Sequence, residues 1–277
     1  MPNVRRRPAP SFRALPPATR VGALPALAAL TAAALTAAAL TACGTKDAAD
    51  PLAPSGPQGR VRFVNVITDT TRGRVNAAID GVPVGVNVTY TVACPACLPA
   101  PSTAPYAAAY AGSHALVLRR TADTSVTVAT LAFDAAADED RTVYAVGGAG
   151  GTAVTAFVTR DTNPAPNAGQ ARLRVVHLSP TAGPVDVFLT VPGADLASAT
   201  PAVANLPVRG VSAYLTPAAG TYQVRVVPAG TPPAARAAGV AINVASLALA
   251  AGTNRTVVAA DRSAGGAPLQ AFVLADR

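Results

Sequence analysis

Cys94 and Cys97 form a C-x-x-C pair inside the Pro-rich stretch TVACPACLPAPSTAP, residues 91–105. Two thiols at that spacing could serve as a redox centre, a haem attachment, half of a zinc site or a loop-stapling disulfide. Redox enzymes place the pair at a helix start in a βαβ setting, which depresses one thiol's pKa; here the surroundings are Pro-rich and strand-like. Haem attachment needs a His where Leu98 stands, and zinc needs further ligands from a chain with one other Cys and two His. The pattern predicts a disulfide between Cys94 and Cys97, formed in an oxidising compartment, with no cofactor and no metal.

His177, Ser179 and Asp186 supply the side chains of a hydrolytic triad. No G-x-S-x-G elbow surrounds the serine, and Ser179-Pro180 reads as a turn, so cross-strand hydrogen bonds or solvent exposure are expected instead. His114, after Gly112-Ser113, is expected to be a solvated turn residue. The acids Asp134, Asp138, Glu139 and Asp140 are hard oxygen donors suited to calcium, but they do not follow the D-x-D-x-D-G spacing. A solvated turn ahead of a strand at Arg141 is expected there, with weak calcium binding as the alternative. Glu139 is the only Glu, which excludes a paired-Glu glycosidase. No catalytic residue is assigned, and the protein is not expected to be an enzyme.

Charge bounds the partners. Residues 1–42 carry Arg5, Arg6, Arg7, Arg13 and Arg20 and no acid; without them 17 basic residues face 14 acidic ones. A near-neutral body with a single Lys, Lys46, is a poor phosphate binder, so no nucleic-acid partner is expected.

Those arginines precede an apolar run, Val21 to Ala42, that ends in Leu40-Thr41-Ala42-Cys43. Charge, then apolar residues, then small residues is the order of a secretory signal. The last four residues resemble the lipobox of bacterial lipoproteins. The resemblance implies that residues 1–42 are removed and that lipid on Cys43 anchors the protein to a membrane. Two other fates stay open: an uncleaved span, although Ala-rich segments containing a Pro insert weakly, and ordinary cleavage to a soluble exported protein. Pro8 and Ala9 after the arginines do not fit twin-arginine export. Residues 43–59, rich in Gly, Pro, Asp and Ala, read as a flexible tether. Gly44 in place of an Asp leans towards the outer membrane of the cell envelope.

The body is written twice. RVRFVNV (Arg60 to Val66) returns as RLRVVHL (Arg172 to Leu178), Arg141-Thr142-Val143 as Arg255-Thr256-Val257, and Ala156-Phe157-Val158 as Ala271-Phe272-Val273, at offsets of 112, 114 and 115. Within a copy, apolar residues alternate with polar ones as in strands, for example at Tyr222, Val224 and Val226, and at Val126 and Val128. In both opening strands the alternation slips, at Val64 and at Val176, which predicts a bulge or a strand passing between sheets. Turn signals such as Asp80-Gly81, Pro192-Gly193 and Ala251-Gly252 separate the runs. The expected fold is all-β: two tandem antiparallel β-sandwich domains of immunoglobulin or transthyretin type after an N-terminal signal helix. Repeat one is placed at 60–160, a linker at 161–170 and repeat two at 171–277.

RLRVVHLSPTAGPVDVFL, from Arg172, and SAYLTPAAGTYQVRVVPAG, from Ser212, resemble the domain of unknown function 4397 (DUF4397) of bacterial surface and secreted proteins. The first copy departs from that pattern: Asn65 replaces the His and Thr68-Asp69 the Ser-Pro, while Tyr110 to His114 echoes the Ala-Gly-x-Tyr turn only in part. The resemblance implies a β-sandwich, export and tandem arrangement, and no established catalytic activity. Together these readings lead us to expect a lipid-anchored envelope protein in a structural or adhesive role, with surface binding of glycan or protein ligands as the alternative. A glycan or peptide site would draw on Tyr90, Tyr106, Tyr110 and Tyr214.

Overall fold

The computed structural model describes residues 56–95, 97–99 and 106–276. The leader at 1–42, Cys43 and most of the tether lie outside the described residues. Among the described residues no helix is long and apolar enough to cross a membrane.

The described chain is all-β. Its first half runs β1 (Gln58–Ile67), β2 (Val75–Ile79), β3 (Val82–Val88), β4 (Val92–Cys94), β5 (Leu98–Pro99), β6 (Ala107–Tyr110), β7 (Gly112–Arg120), β8 (Asp123–Ala135), β9 (Asp140–Gly147) and β10 (Val154–Asp161). The second runs β11 (Arg172–His177), β12 (Val185–Thr190), β13 (Val203–Leu206), β14 (Gly210–Val211), β15 (Gly220–Pro228), β16 (Ile242–Leu249), β17 (Asn254–Ala260) and β18 (Gln270–Ala275). Each half contains two sheets. They are β10-β9-β1-β4-β5, with β6 also on β1, and β3-β2-β7-β8; then β14-β11-β17-β18 and β13-β12-β15-β16.

The inward residues of each sheet pair share one core. Val61, Phe63, Val143 and Ala145 from one sheet meet Val75, Ala77, Leu116, Leu118 and Phe133 from the other, and Leu173, Val175, Val257 and Ala259 likewise meet Val185, Val187, Val224 and Val226. Pairing is antiparallel except in one place per half, where β1 runs parallel to β9 and β11 to β17. Between those partners the chain crosses to the opposite sheet and returns in the original direction, a connection long enough to permit parallel pairing.

The slip in the opening strands has a different origin from the one expected. β1 keeps unbroken register with β9 from Arg60↔Asp140 to Ile67↔Gly147, and β11 does the same with β17, so neither carries a bulge there. Both faces of the strand are buried: Val61 to Ile67 are all inaccessible. Val61, Phe63 and Ile67 face their own core, while Val64 and Val66 join Val176, Leu178, Tyr144, Val258, Phe272 and Leu274 in a third cluster drawn from both halves. The outer face of each β1-type sheet is therefore an internal surface.

At one end of that interface four charges are buried and exchanged. Arg62 Nη2 donates to Asp276 Oδ1 at 2.6 Å, from the first half to the end of the second. Arg174 returns the contact, bonding Asp161 at the end of β10. Each arginine also bonds the threonine beside it, Arg62 to Thr142 at 3.0 Å and Arg174 to Thr256 at 2.8 Å. Those threonines donate to the aspartate of their own half, Thr142 to Asp161 and Thr256 to Asp276. Thr159 and Tyr106 complete the Asp161 carboxylate at 2.7 and 2.8 Å. The side chains of Arg62, Asp161 and Asp276 are 0% exposed. Asp161, read from sequence as the first linker residue, is thus a buried strand residue.

Removing one member leaves an uncompensated buried charge. Asp276→Ala is expected to lower the unfolding free energy of the full chain by about 3–5 kcal/mol. The joint change of Arg62→Met with Asp276→Leu should recover much of that loss, as read by denaturant titration.

Candidate functional site

The sequence-predicted triad residues are not brought together. His177 is buried, with Nε2 donating to the Gly183 carbonyl at 2.6 Å and Nδ1 accepting from the Ser179 amide at 3.4 Å. The Ser179 hydroxyl turns instead to Asp261, which also accepts from Thr181 Oγ1 at 2.7 Å and from the Gly266 amide at 3.1 Å. Asp186 accepts from the Asn205 amide at 2.8 Å. All three side chains tie loops. In the first half Asn65 performs the equivalent task, donating to the carbonyls of Gly73 and Val88 at 2.7 and 2.9 Å.

Glu139 and Asp140 are engaged by arginines, and Asp138 is exposed. Asp140 pairs with Arg60 through both oxygens at 2.6 and 2.7 Å, and Glu139 pairs with Arg141 and Arg160 at 2.9 and 2.8 Å. Among the described residues no three His, Cys, Asp or Glu side chains are grouped to hold a metal ion.

The sulfurs of Cys94 and Cys97 are bonded to each other. The disulfide lies beneath Gly85 of β3: a Cβ there would fall 2.6 Å from Cys94 Sγ and 2.9 Å from Cys97 Sγ. It therefore packs the β4–β5 corner of one sheet directly against the edge strand of the other.

His114 is not a free turn residue. Nδ1 contacts Asp80 Oδ2 at 2.5 Å, Nε2 contacts the Tyr110 carbonyl at 2.7 Å, and the ring stacks on Phe133 at 5.4 Å. The Asp80 carboxylate and the Tyr110 carbonyl both accept, an arrangement that favours the protonated imidazole, which donates from both ring nitrogens. Burial pulls the His114 pKa down, but the bonds to Asp80 and Tyr110 and the charges of Asp80 and Asp134 outweigh it, and the value rises. Asp80 is held low, first by the Ala115 amide and then by His114. Tyr222, at the matching place in the second half, makes the same reach four residues back, donating to the Ala218 carbonyl at 2.9 Å.

Asp80 and Gly81, both at positive φ, form the tight turn into β3. β3 ends its sheet, and two hollows flank it. The inner one, about 370 Å³, is lined by Val61, Ile79, Val82, Val84, Tyr110 and the His114–Asp80 pair. The outer one, about 450 Å³, lies on the outward face of the sheet over Asn76, Ala78, Pro83, Val86, Val117 and Arg119. Both fall in the size range of ligand sites. Val82 and Val86, on this strand, are 65% and 70% exposed. Sequence reasoning missed this place because it carries no chemical motif; a short edge strand without charge, VPVGVNV, was the available signal.

The tyrosines proposed for a ligand surface do not gather at one exposed end. Tyr106 bonds Asp161 and lies under Arg62, Tyr214 stacks with Arg172 and Arg174, and Tyr90 donates to the Asp261 carbonyl of the other half. Burial pushes the hydroxyls of Tyr90 and Tyr214 up to about 12.

Fold and interface define a protein of two β-sandwiches joined through buried sheet faces. The family described as "Domain of unknown function (DUF4397)" matches residues 59–188. The landmarks legible in the sequence lie chiefly in the second copy, whereas the match takes in the whole first sandwich and ends within β12. No curated protein matches the chain. Among solved structures, similarity is found to a leucine-rich repeat protein from Bacteroides thetaiotaomicron, at 14% identity over 73% of this chain and 26% of that one, with a TM-score of 0.18. A protein from Bacteroides ovatus described as a putative adhesin aligns at 9% identity over 76% of this chain and 90% of that one, with a TM-score of 0.17. At those scores neither carries an argument about fold or site.

Two predictions follow from this geometry. Gly85→Ala is expected to destabilise the protein by about 1–3 kcal/mol through overpacking, and by less in a Cys94→Ala, Cys97→Ala background, as read by thermal unfolding. The His114–Asp80 pair raises the His pKa on folding, so its contribution is complete below the ordinary imidazole value of about 6.5 and is lost as pH rises through the raised value. Wild-type Tm should therefore fall between pH 6 and 9 relative to His114→Tyr, which keeps the backbone reach of Tyr222 without the charge.

Proposed function

We propose that this chain is a non-enzymatic, lipid-anchored protein of the cell envelope that displays two DUF4397-like sandwiches as one rigid body, in a structural or adhesive role. One contrast carries the reading: His177, Ser179 and Asp186 bond loops and Cys94 is bonded to Cys97, while the hollows beside β3 are mainly apolar. A display role needs rigidity and a contact surface rather than a reactive group. The sequence supports the address, through the lipobox-like Leu40 to Cys43, the Gly44 that follows, and the Gly- and Pro-rich tether.

The alternative, binding of a specific surface ligand, is favoured for peptide over glycan by one observation. Tyr90, Tyr106 and Tyr214 are built into the region between the halves, and the outer hollow beside β3 presents Ala77, Ala78, Pro83, Val86 and Val117 with Asn76 and Arg119, and no aromatic side chain.

Mass spectrometry of the membrane-extracted protein is expected to find a diacylglyceryl-modified Cys43 at its N-terminus, and Cys43→Ala should move the protein out of the membrane fraction. An intact Met1 on membrane-bound protein would overturn the anchoring.

A further inference from the structure

The two halves treat one equivalent surface differently. In the second, the outward face of β12 and β15 is covered by the chain itself: Leu196, from the connection at 191–202, packs with Phe188 and Val227 in a small buried cluster. That connection is pinned in place. Arg236 donates to the carbonyls of Leu196 and Ala199 at 3.2 and 2.8 Å while lying over the Phe188 ring, and Arg225 donates to the Ala194 carbonyl at 2.7 Å.

In the first half no described residue covers the same place. Strand register aligns Ala78 with Phe188, Val117 with Arg225 and Arg119 with Val227: Ala78 pairs with Val117 across β2 and β7 as Phe188 pairs with Arg225 across β12 and β15. The connections that could cover this face are cut to tight turns, Asp80-Gly81 between β2 and β3 and Thr121-Ala122 between β7 and β8. What remains is the outer hollow, floored by Ala78 and Val117, walled by exposed Val86 and rimmed by exposed Arg119.

We propose that this hollow is a docking site for a partner protein's segment carrying a leucine-like side chain next to an acidic residue. The second half shows what such a face accepts, a leucine on a loop. Small Ala78 in place of a phenylalanine leaves volume for it. Arg119, whose Nη1 bonds only the Thr124 carbonyl, supplies positive charge where the second half has a valine, which selects for a carboxylate beside the apolar residue. The chain's own covering segment has that composition, Asp195-Leu196. This inference rests on the display reading and names the partner class for it.

The test uses the full chain, kept in detergent where it carries lipid, and a fluorescent synthetic peptide of residues 190–202, TVPGADLASATPA. Saturable binding is expected, with amide shifts confined to residues around 76–86 and 117–119. Leu196→Asp in the peptide should abolish it. Ala78→Phe in the protein, which fills the hollow with the residue native to the other half, should also abolish it while leaving Tm unchanged. Arg119→Glu should weaken binding by about tenfold or more and prefer a peptide with Asp195→Lys by a similar factor. Absence of binding, binding indifferent to Ala78→Phe and Arg119→Glu, or shifts located elsewhere would each overturn the site. Membrane anchoring through Cys43 is measured separately and would stand through any of these outcomes.

Discussion

The exchange of buried charge between Arg62 and Asp276, and between Arg174 and Asp161, is the constraint on which the rest of the architecture depends. Each sandwich closes its own core, so the halves could in principle exist side by side without ordered contact. The ion pairs forbid it. Separated, each half would lose the aspartate its arginine bonds most closely, Arg62 keeping only the longer 3.8 Å approach to Asp161, on a face otherwise lined by Val64, Val66, Val176 and Leu178. Buried pairs of this kind contribute little net stability beside well-packed apolar residues of the same size. Their effect here is positional. The apolar cluster alone leaves two strand faces free to slide, whereas a guanidinium locked between a neighbouring threonine and a distant aspartate has one register.

The same constraint explains what the sequence disclosed and what it hid. Strand alternation, the repeat and its turns were legible because each reflects a local rule: period-two burial at Tyr222, Val224 and Val226, and left-handed backbone at Asp80-Gly81. The repeat even displayed Arg62 and Arg174, Thr142 and Thr256 at nearly constant offset. Their meaning was not legible, because an arginine alternating with valines in a strand reads as a solvent-facing residue. The slip at Val64 and Val176 was the visible sign of a second buried face, and a single copy could not distinguish that from a bulge. The hollows beside β3 were hidden for another reason: they are made by what the turns omit rather than by any residue present.

Where the copies differ, the bond often survives the substitution. Asn65 and His177 differ in size and shape, yet each closes the turn after the opening strand by donating to a loop carbonyl. His114 and Tyr222 both reach a carbonyl four residues back. Function at such positions attaches to the hydrogen bond and tolerates several donors. At the interface, by contrast, arginine, threonine and aspartate are kept in both halves, since only a planar cation with several donors can serve a threonine and a distant carboxylate together.

A β-sandwich has four sheet faces, and each must be covered or made tolerable to water. Two meet in the core, and the outward face of each β1-type sheet is taken by the other half, which leaves one outward face per sandwich. The second half resolves this with apolar side chains, Phe188 and Val227, and a loop to cover them. The first half resolves it by composition, with Asn76, Ala78 and Arg119 at the outward positions of the same strands. A face built that way stays soluble when bare and retains enough apolar floor to be worth covering, the property expected of a surface that meets its partner reversibly rather than as a permanent part of the fold. Rigidity at the buried interface and reversibility at the open face are therefore complementary: the exchanged charges fix the platform, and the asymmetry between the copies decides which side of it remains available.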